Sequence, residues 1–152
     1  MAFQLLFSQL AVKGAITMAI SVATESGQGL EWRAILDRVG GDQELVLELI
    51  DLFNSDVPES LRTLQEAIAA QDPNRTHHLS HRLKGAVASF LHEPSVRIAQ
   101  EIEDRAHRND WPSLGHLYSE LVLAVQRLTD ELGKCPFRQL EANPAQQVFY
   151  RA

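Results

Sequence analysis

One stretch of the chain, His81-Arg82-Leu83-Lys84-Gly85, combines residue types that can do chemistry together. In a helix, residues three apart are neighbours, so the Lys84 ammonium can reach whatever the His81 imidazole carries. Gly85 removes the side chain beside them, at a cost of roughly 1 kcal/mol of helix stability relative to alanine. An exposed helical position gains nothing from glycine unless something must come close, and the active centre of another protein would justify the cost. Two histidines precede the stretch. His77 and His81 lie at i and i+4, a spacing at which two imidazoles can share one zinc, with Glu103 as a third ligand. No Cys-x-x-Cys or His-Glu-x-x-His pattern completes such a set, so no metal is expected. The plainest alternative for His81 is a solvated residue on an amphipathic helix.

The elements that must position these residues are marked by helix punctuation. A short apolar stretch from Leu30 to about Val39 is closed by Gly40-Gly41, a stop signal. Asp42 reads as the N-cap of a long helix running towards Ala70, with Leu45, Leu49, Leu52 and Phe53 on one face. Pro58 falls inside that run and is expected to kink or divide it. Asp72-Pro73, an N-cap followed by proline at the first helical position, starts the helix that carries His81. Glu93-Pro94 ends that helix and opens another, to about Asn109. Asp110-Trp111-Pro112 opens the last, to about Leu132, where Gly133 stops it. No stretch alternates with a strand's period for long enough to matter. Four helices of about 15 to 28 residues with short connections predict an all-α chain, an antiparallel four-helix bundle with an additional N-terminal helical segment.

Angular arithmetic on the His81 helix separates its faces. Each residue turns about 100° around the axis, so Leu79, Leu83, Ala86, Val87 and Phe90 cluster on one side, and that side is the predicted core. His81 points nearly opposite. His77, Lys84, Gly85 and Ala88 fall to either side of it, giving a polar-and-small strip that hydrophobic burial alone does not require.

Composition excludes several classes of function. At 152 residues the chain is about one domain long, enough to bury a real core. A net charge of −6, with lysines and arginines scattered along the chain, argues against a nucleic-acid partner. Cys135 stands alone, which rules out an internal disulfide and fits a reducing, cytoplasmic setting. Residues 1 to about 22 are apolar on nearly every side. No basic region precedes them as in a secretory signal, and Gln4, Gln9 and Lys13 interrupt a membrane span. An extra helix on the bundle or at a dimer contact is the expected reading, and Met18 is an alternative start. The domain division is then an apolar extension over 1–29, a bundle over 30–132 and an irregular tail over 133–152.

The order of motifs carries a resemblance. Val39-Gly40-Gly41-Asp42 is followed by Leu49-Ile50-Asp51-Leu52-Phe53 and the acidic-proline segment Asp56-Val57-Pro58-Glu59. Ala70-Gln71-Asp72 precedes the active helix, and the His-x-Leu-Lys-Gly motif comes nine residues after Asp72. Ile102-Glu103 completes the series on the next helix. From about Leu30 to Leu132 the chain resembles the histidine phosphotransfer (Hpt) domains of two-component phosphorelays. It departs from them after the motif. Where many members have a Ser-x-x-Leu-Gly turn, this chain has Ala88-Ser89-Phe90-Leu91-His92, with no glycine.

The resemblance implies roles residue by residue. His81 matches the phosphorylated histidine, which exchanges its phosphoryl group with aspartates of receiver domains or takes it from a kinase. Lys84 matches the cation beside the phosphoryl oxygens, where it would offset a charge of about −1.5 to −2. Gly85 matches the position that gives the receiver room. Glu103 matches a residue that hydrogen-bonds the non-reacting ring nitrogen and holds the tautomer. His77 and Ala88 are candidates for partner contact, with exposed apolar residues of the Leu45–Pro58 stretch as a second wall. The implied partners are response-regulator receivers and a (hybrid) sensor histidine kinase, with no nucleic acid and no membrane. No cofactor is implied on this chain, since Mg²⁺ comes with the receiver. A phosphotransfer protein without autonomous kinase activity is expected, because no ATP-binding or receiver sequence accompanies the motif. A monomer is expected, with the N-terminal segment as the contact if a dimer forms. The alternatives are a helical adaptor that is not phosphorylated, acting on a kinase or receiver, and a histidine-based metal-binding bundle.

Overall fold

The computed structural model describes residues 29–138. The apolar N-terminal run, the Met18 start and most of the expected tail therefore lie outside the described residues. Among the described residues five helices follow in order: α1 Trp32–Arg38, α2 Gln43–Ala69, α3 Pro73–Ala88, α4 Glu93–His107 and α5 Trp111–Gly133. No strand occurs among the described residues, and the architecture is an all-α helical bundle.

Local chemistry explains where the helices begin and end. Gly40 and Gly41 take φ values of 71° and 85°. The Gly41 N–H donates to the Leu36 carbonyl at 2.9 Å and closes α1, in a left-handed conformation that costs glycine no Cβ clash. Asp42 Oδ1 accepts from the Leu45 N–H at 3.0 Å, and Asp72 Oδ1 from the Arg75 N–H at 3.0 Å. Each such cap satisfies an otherwise orphaned donor and contributes about 1 kcal/mol. Between α4 and α5, Asp110 Oδ2 accepts from Arg105 Nη1 at 2.7 Å and from Ser113 Oγ at 3.0 Å. Pro58 does not divide α2, which runs without a break through it. The proline sits on the exposed side of the helix, as does Asn54, so the carbonyl it leaves without a partner can turn to water.

The described residues form two compact units, one of residues 29–52 together with 131–138, the other Phe53–Asp130. In the first, α1 and the start of α2 bury Ile35, Leu36, Val46 and Ile50. The residues after Gly133, expected as an irregular tail, begin with packed side chains. Cys135 and Phe137 are buried, and the Phe137 ring meets Trp32 edge-on at 6.1 Å. Arg138 Nη2 donates to Asp51 Oδ1 at 2.6 Å. Burial pushes the Cys135 thiol up, away from the thiolate form a reactive cysteine needs.

The second unit holds four helical segments: the later part of α2, all of α3 and α4, and most of α5. Its largest fully buried side chains include Phe53, Phe90, Leu64, Leu83, Ile102 and Leu114. Tyr118 Oη donates to the Leu61 carbonyl at 3.1 Å, joining α5 to α2.

The buried faces differ from the expected ones by small rotations. On α2 up to Pro58 the buried positions are Val46, Leu47, Leu49, Ile50, Phe53 and Val57, while Leu45 and Leu52 are half-buried. None of the apolar side chains of the Leu45–Pro58 stretch is therefore a large exposed one. On α3, Leu83, Val87 and Phe90 are buried as expected, but Leu79 and Ala86 are half-buried and Thr76 and Ser80 take their place. Thr76 and Ser80 lie on the side of the stripe towards Lys84, and Lys84 bonds to α4, so the contact with α4 turned the stripe. Ser80 can be buried because its Oγ donates within its own helix, to the Thr76 carbonyl at 2.8 Å.

The turn that lacks glycine closes at a cost. Leu91 takes φ 56°, a left-handed conformation, with a side chain 42% exposed. Leu91→Gly is expected to raise stability by ~0.5–1 kcal/mol, the relief of Cβ strain less the extra freedom of glycine in the unfolded chain. A higher urea midpoint would show it. An unchanged or lower midpoint would mean that the leucine side chain returns as much as the strain removes.

Candidate functional site

The α3–α4 pair builds the site. The two helices pack side by side and are joined by residues 89–92 alone, so they run antiparallel. Going back along α3 from Lys84 to His77 thus means going forward along α4 from Gln100 to His107. Three rungs result. Lys84 Nζ donates to Gln100 Oε1 and to Glu103 Oε2, each at 2.6 Å. His81 Nδ1 lies 3.2 Å from Glu103 Oε1. One turn further, the His77 and His107 rings are 6.3 Å apart. His77 also stacks on His81, with centroids 6.3 Å apart and planes inclined by 22°, and its Nδ1 is 3.9 Å from the same Glu103 oxygen.

Glu103 is the pivot. It sits at the edge of the buried stripe of α4, beside Ala99, Ile102 and Ala106, and is 8% exposed. Burial pushes its carboxyl up, but hydrogen bonds from Lys84 and His81, together with their charges, outweigh burial and hold it below the ordinary carboxylate range. An ionised carboxylate only accepts, so Nδ1 of His81 carries the hydrogen and Nε2 keeps the lone pair of the neutral ring. The His81 side chain is 65% exposed. The arrangement is a nucleophilic nitrogen presented to solvent, with its tautomer fixed from behind.

Lys84 is oriented by α4. Its side chain is 21% exposed, and Gln100, which receives one of its hydrogens, is itself held by donating from Nε2 to Asp104 Oδ1 at 3.0 Å. An ammonium has three donors, so a third can meet an oxygen carried by the imidazole one turn away. A Cβ added at Gly85 would meet nothing within 4 Å. Packing among the described residues does not require this glycine, and open space beside His81 is what it provides. Ala88 continues the strip and is half-buried.

The structure thus brings together His77, His81, Lys84 and Glu103, with Gly85 alongside. Gln100 and His107 complete the set and were not singled out by the sequence reading. Their signal was available once His81 and Glu103 are paired across an antiparallel hairpin, because one turn in each direction along α4 reaches them. Among the described residues no group of three or more histidine, cysteine, aspartate or glutamate side chains is placed to hold a metal ion. No described helix is long and apolar enough to cross a membrane.

A family model for the Hpt domain matches residues 48–133, more than half of the chain. The chain belongs to the Hpt family. No curated protein and no solved structure matches it. As an Hpt protein it takes part in histidine phosphotransfer within a two-component phosphorelay, in a family of phosphoryl carriers rather than kinases, and its partners are receivers and kinases. The matched Hpt segment contains all six histidines of the chain. His116 also meets a carboxylate, with Nε2 3.3 Å from Glu120 Oε1, but both side chains stand exposed on α5. His81 has in addition a buried carboxylate, a lysine bound to that carboxylate and a glycine that leaves the approach open.

Proposed function

We propose that His81 carries the phosphoryl group, receiving it from an aspartyl phosphate of a receiver or from a sensor kinase and returning it to a receiver aspartate. The observation behind this reading is the pinned ring: Nδ1 bound to a buried carboxylate at 3.2 Å while the side chain as a whole is 65% exposed. The Nε2 lone pair attacks phosphorus, the P–O bond to the aspartate breaks, and the aspartate leaves as a carboxylate. The hydrogen on Nδ1 stays where it is. The ring becomes an imidazolium, and the charge of Glu103 balances it, as a carboxylate behind a histidine does in acyl-transfer triads. Reversal expels a neutral imidazole, which makes the transfer readily reversible.

Lys84 offers its third N–H to the phosphoryl oxygens, and Gly85, Ala88 and His77 border the approach of the receiver. The receiver brings the aspartate and the Mg²⁺ that organise in-line transfer, and this chain supplies no cofactor and no kinase activity of its own. A cytoplasmic setting fits the unpaired Cys135 thiol.

Transfer from a panel of phosphorylated receivers to the wild-type protein and to His81→Gln tests the reading. Acid-labile, base-stable label is expected on the wild type, with no label on the variant and unchanged helical circular dichroism. Equal label on both would move the chemistry to another histidine. No label on either, from receivers that discharge to another Hpt protein, would favour a helical adaptor.

A further inference from the structure

His77 has no role in the transfer step itself, yet its geometry ties it to the state of His81. The two rings are stacked at 6.3 Å, and both Nδ1 atoms converge on Glu103 Oε1, at 3.9 and 3.2 Å. We propose that His77 is a proton acceptor coupled to phosphorylation: it takes up a proton when His81 carries a phosphoryl group, and that proton prolongs the life of the phosphohistidine. The inference rests on the proposed phosphorylation of His81.

Charge balance is the argument. With the imidazoles neutral, the cluster before transfer holds the Glu103 carboxylate and the Lys84 ammonium, which cancel. Transfer adds a phosphoryl group with a charge of about −1.5 to −2 and leaves the His81 ring as an imidazolium, so about one negative charge is uncompensated. Lys84 cannot supply it, because its one positive charge already answers Glu103 at 2.6 Å. Arg75, two residues before His77, is turned towards Glu66 on α2 at 3.6 Å. The groups that face His77 are His81 on its own helix and Glu103 and His107 on α4. Beside the phosphorylated ring, His77 and His107 are the bases able to gain a proton, and His77 is the one stacked on that ring. A half-exposed side chain can exchange that proton with water. By linkage, whatever raises the proton affinity of His77 in the phosphorylated state makes its proton stabilise that state by the same factor.

Phosphoramidate serves as the donor, so no receiver is needed. Nε2 of His81 attacks its phosphorus, the P–N bond breaks and ammonia leaves with the electron pair. The His77 ring is then followed by ¹⁵N-resolved NMR from pH 5.5 to 8.5, with and without phosphorylation, and phosphohistidine lifetimes are compared between the wild type and His77→Gln. The His77 titration is expected to move to higher pH on phosphorylation. The wild-type lifetime is expected to exceed that of His77→Gln by about threefold to tenfold at pH 6, with the ratio approaching one at pH 8.5. A merely structural His77 would give a lifetime ratio that does not change with pH. Label on His81 with an unmoved His77 titration, or a ratio flat in pH, would overturn the coupling and leave the phosphorylation reading standing. Label on a different histidine would overturn both.

Discussion

Glu103→Gln is expected to slow phosphoryl transfer to His81 by about 10- to 100-fold, by analogy with removal of the carboxylate that orients a metal-bound histidine. The amide keeps the size of the carboxylate, so a clash does not cause the loss. What disappears is charge. The imidazolium formed on transfer loses the anion that balances it, and the tautomer is no longer dictated, since an amide can donate to Nδ1 as readily as accept from it. Lys84 loses its counterion in the same stroke and keeps neutral acceptors only, the Gln100 oxygen among them. The effect on folding follows from the same carboxylate. Lys84 and His81 hold Glu103 below its ordinary range, against the push of burial, so the ionised form stabilises the fold. That stabilisation is fully present above the unfolded value of about 4.3 and is lost as pH falls through the lower folded value. The wild type should therefore lose stability on acidification below about pH 4 more steeply than Glu103→Gln. At pH 7 the variant should be less stable by about 1–3 kcal/mol, the cost of a partly buried partner left unpaired. Urea unfolding at pH 7 and pH 3, beside transfer rates, would decide. Parallel acid curves, or transfer at the wild-type rate, would remove Glu103 from the site.

Much of this site could be read from the chain because helical periodicity and capping are local. Asp42 and Asp72 cap as their positions require, Gly40 and Gly41 turn as glycines can, and His81 lies opposite Leu83 and Val87 by angular arithmetic alone. What could not be read is relational. Whether Thr76 or Leu79 is buried depends on the direction from which α4 approaches, and nothing in the residues of α3 states that direction. The rung that joins Lys84 to Gln100 depends on the register of two helices, which the four residues of the 89–92 turn set. Pro58 is instructive in the opposite sense. Its local cost is real, yet the helix continues, because Phe53 and Val57 before it and Leu64 and Ala67 after it are buried on one continuous face. The glycine missing from the turn after α3 is met by straining Leu91 rather than by changing the turn.

That turn is held by Phe90, and Phe90→Ala is expected to cost about 3–5 kcal/mol, the range for emptying a buried aromatic site. Phe90 is 1% exposed and packs edge-on against Phe53, also 1% exposed, with centroids 5.2 Å apart and planes at 78°. The geometry adds about 0.5–1.5 kcal/mol to the burial of the two rings. A domain of ordinary stability has about 5–15 kcal/mol in all, so the variant would sit near the edge of unfolding at 37 °C. Its position makes the loss informative about function. Phe90 lies in the turn just after α3, separated from its end by Ser89, and precedes the strained Leu91, so it anchors the bend that brings Glu103 back to His81. Transfer should fall in Phe90→Ala because the rungs separate, whereas in His81→Gln it should vanish while the fold persists. A double-mutant cycle with Phe53→Ala separates packing from local strain. The two rings share one cavity, so the paired cost should fall short of the sum by about 1 kcal/mol. Strictly additive costs, or a loss below 1 kcal/mol for Phe90→Ala alone, would show that the bend is fixed by the backbone of the turn and not by this aromatic contact.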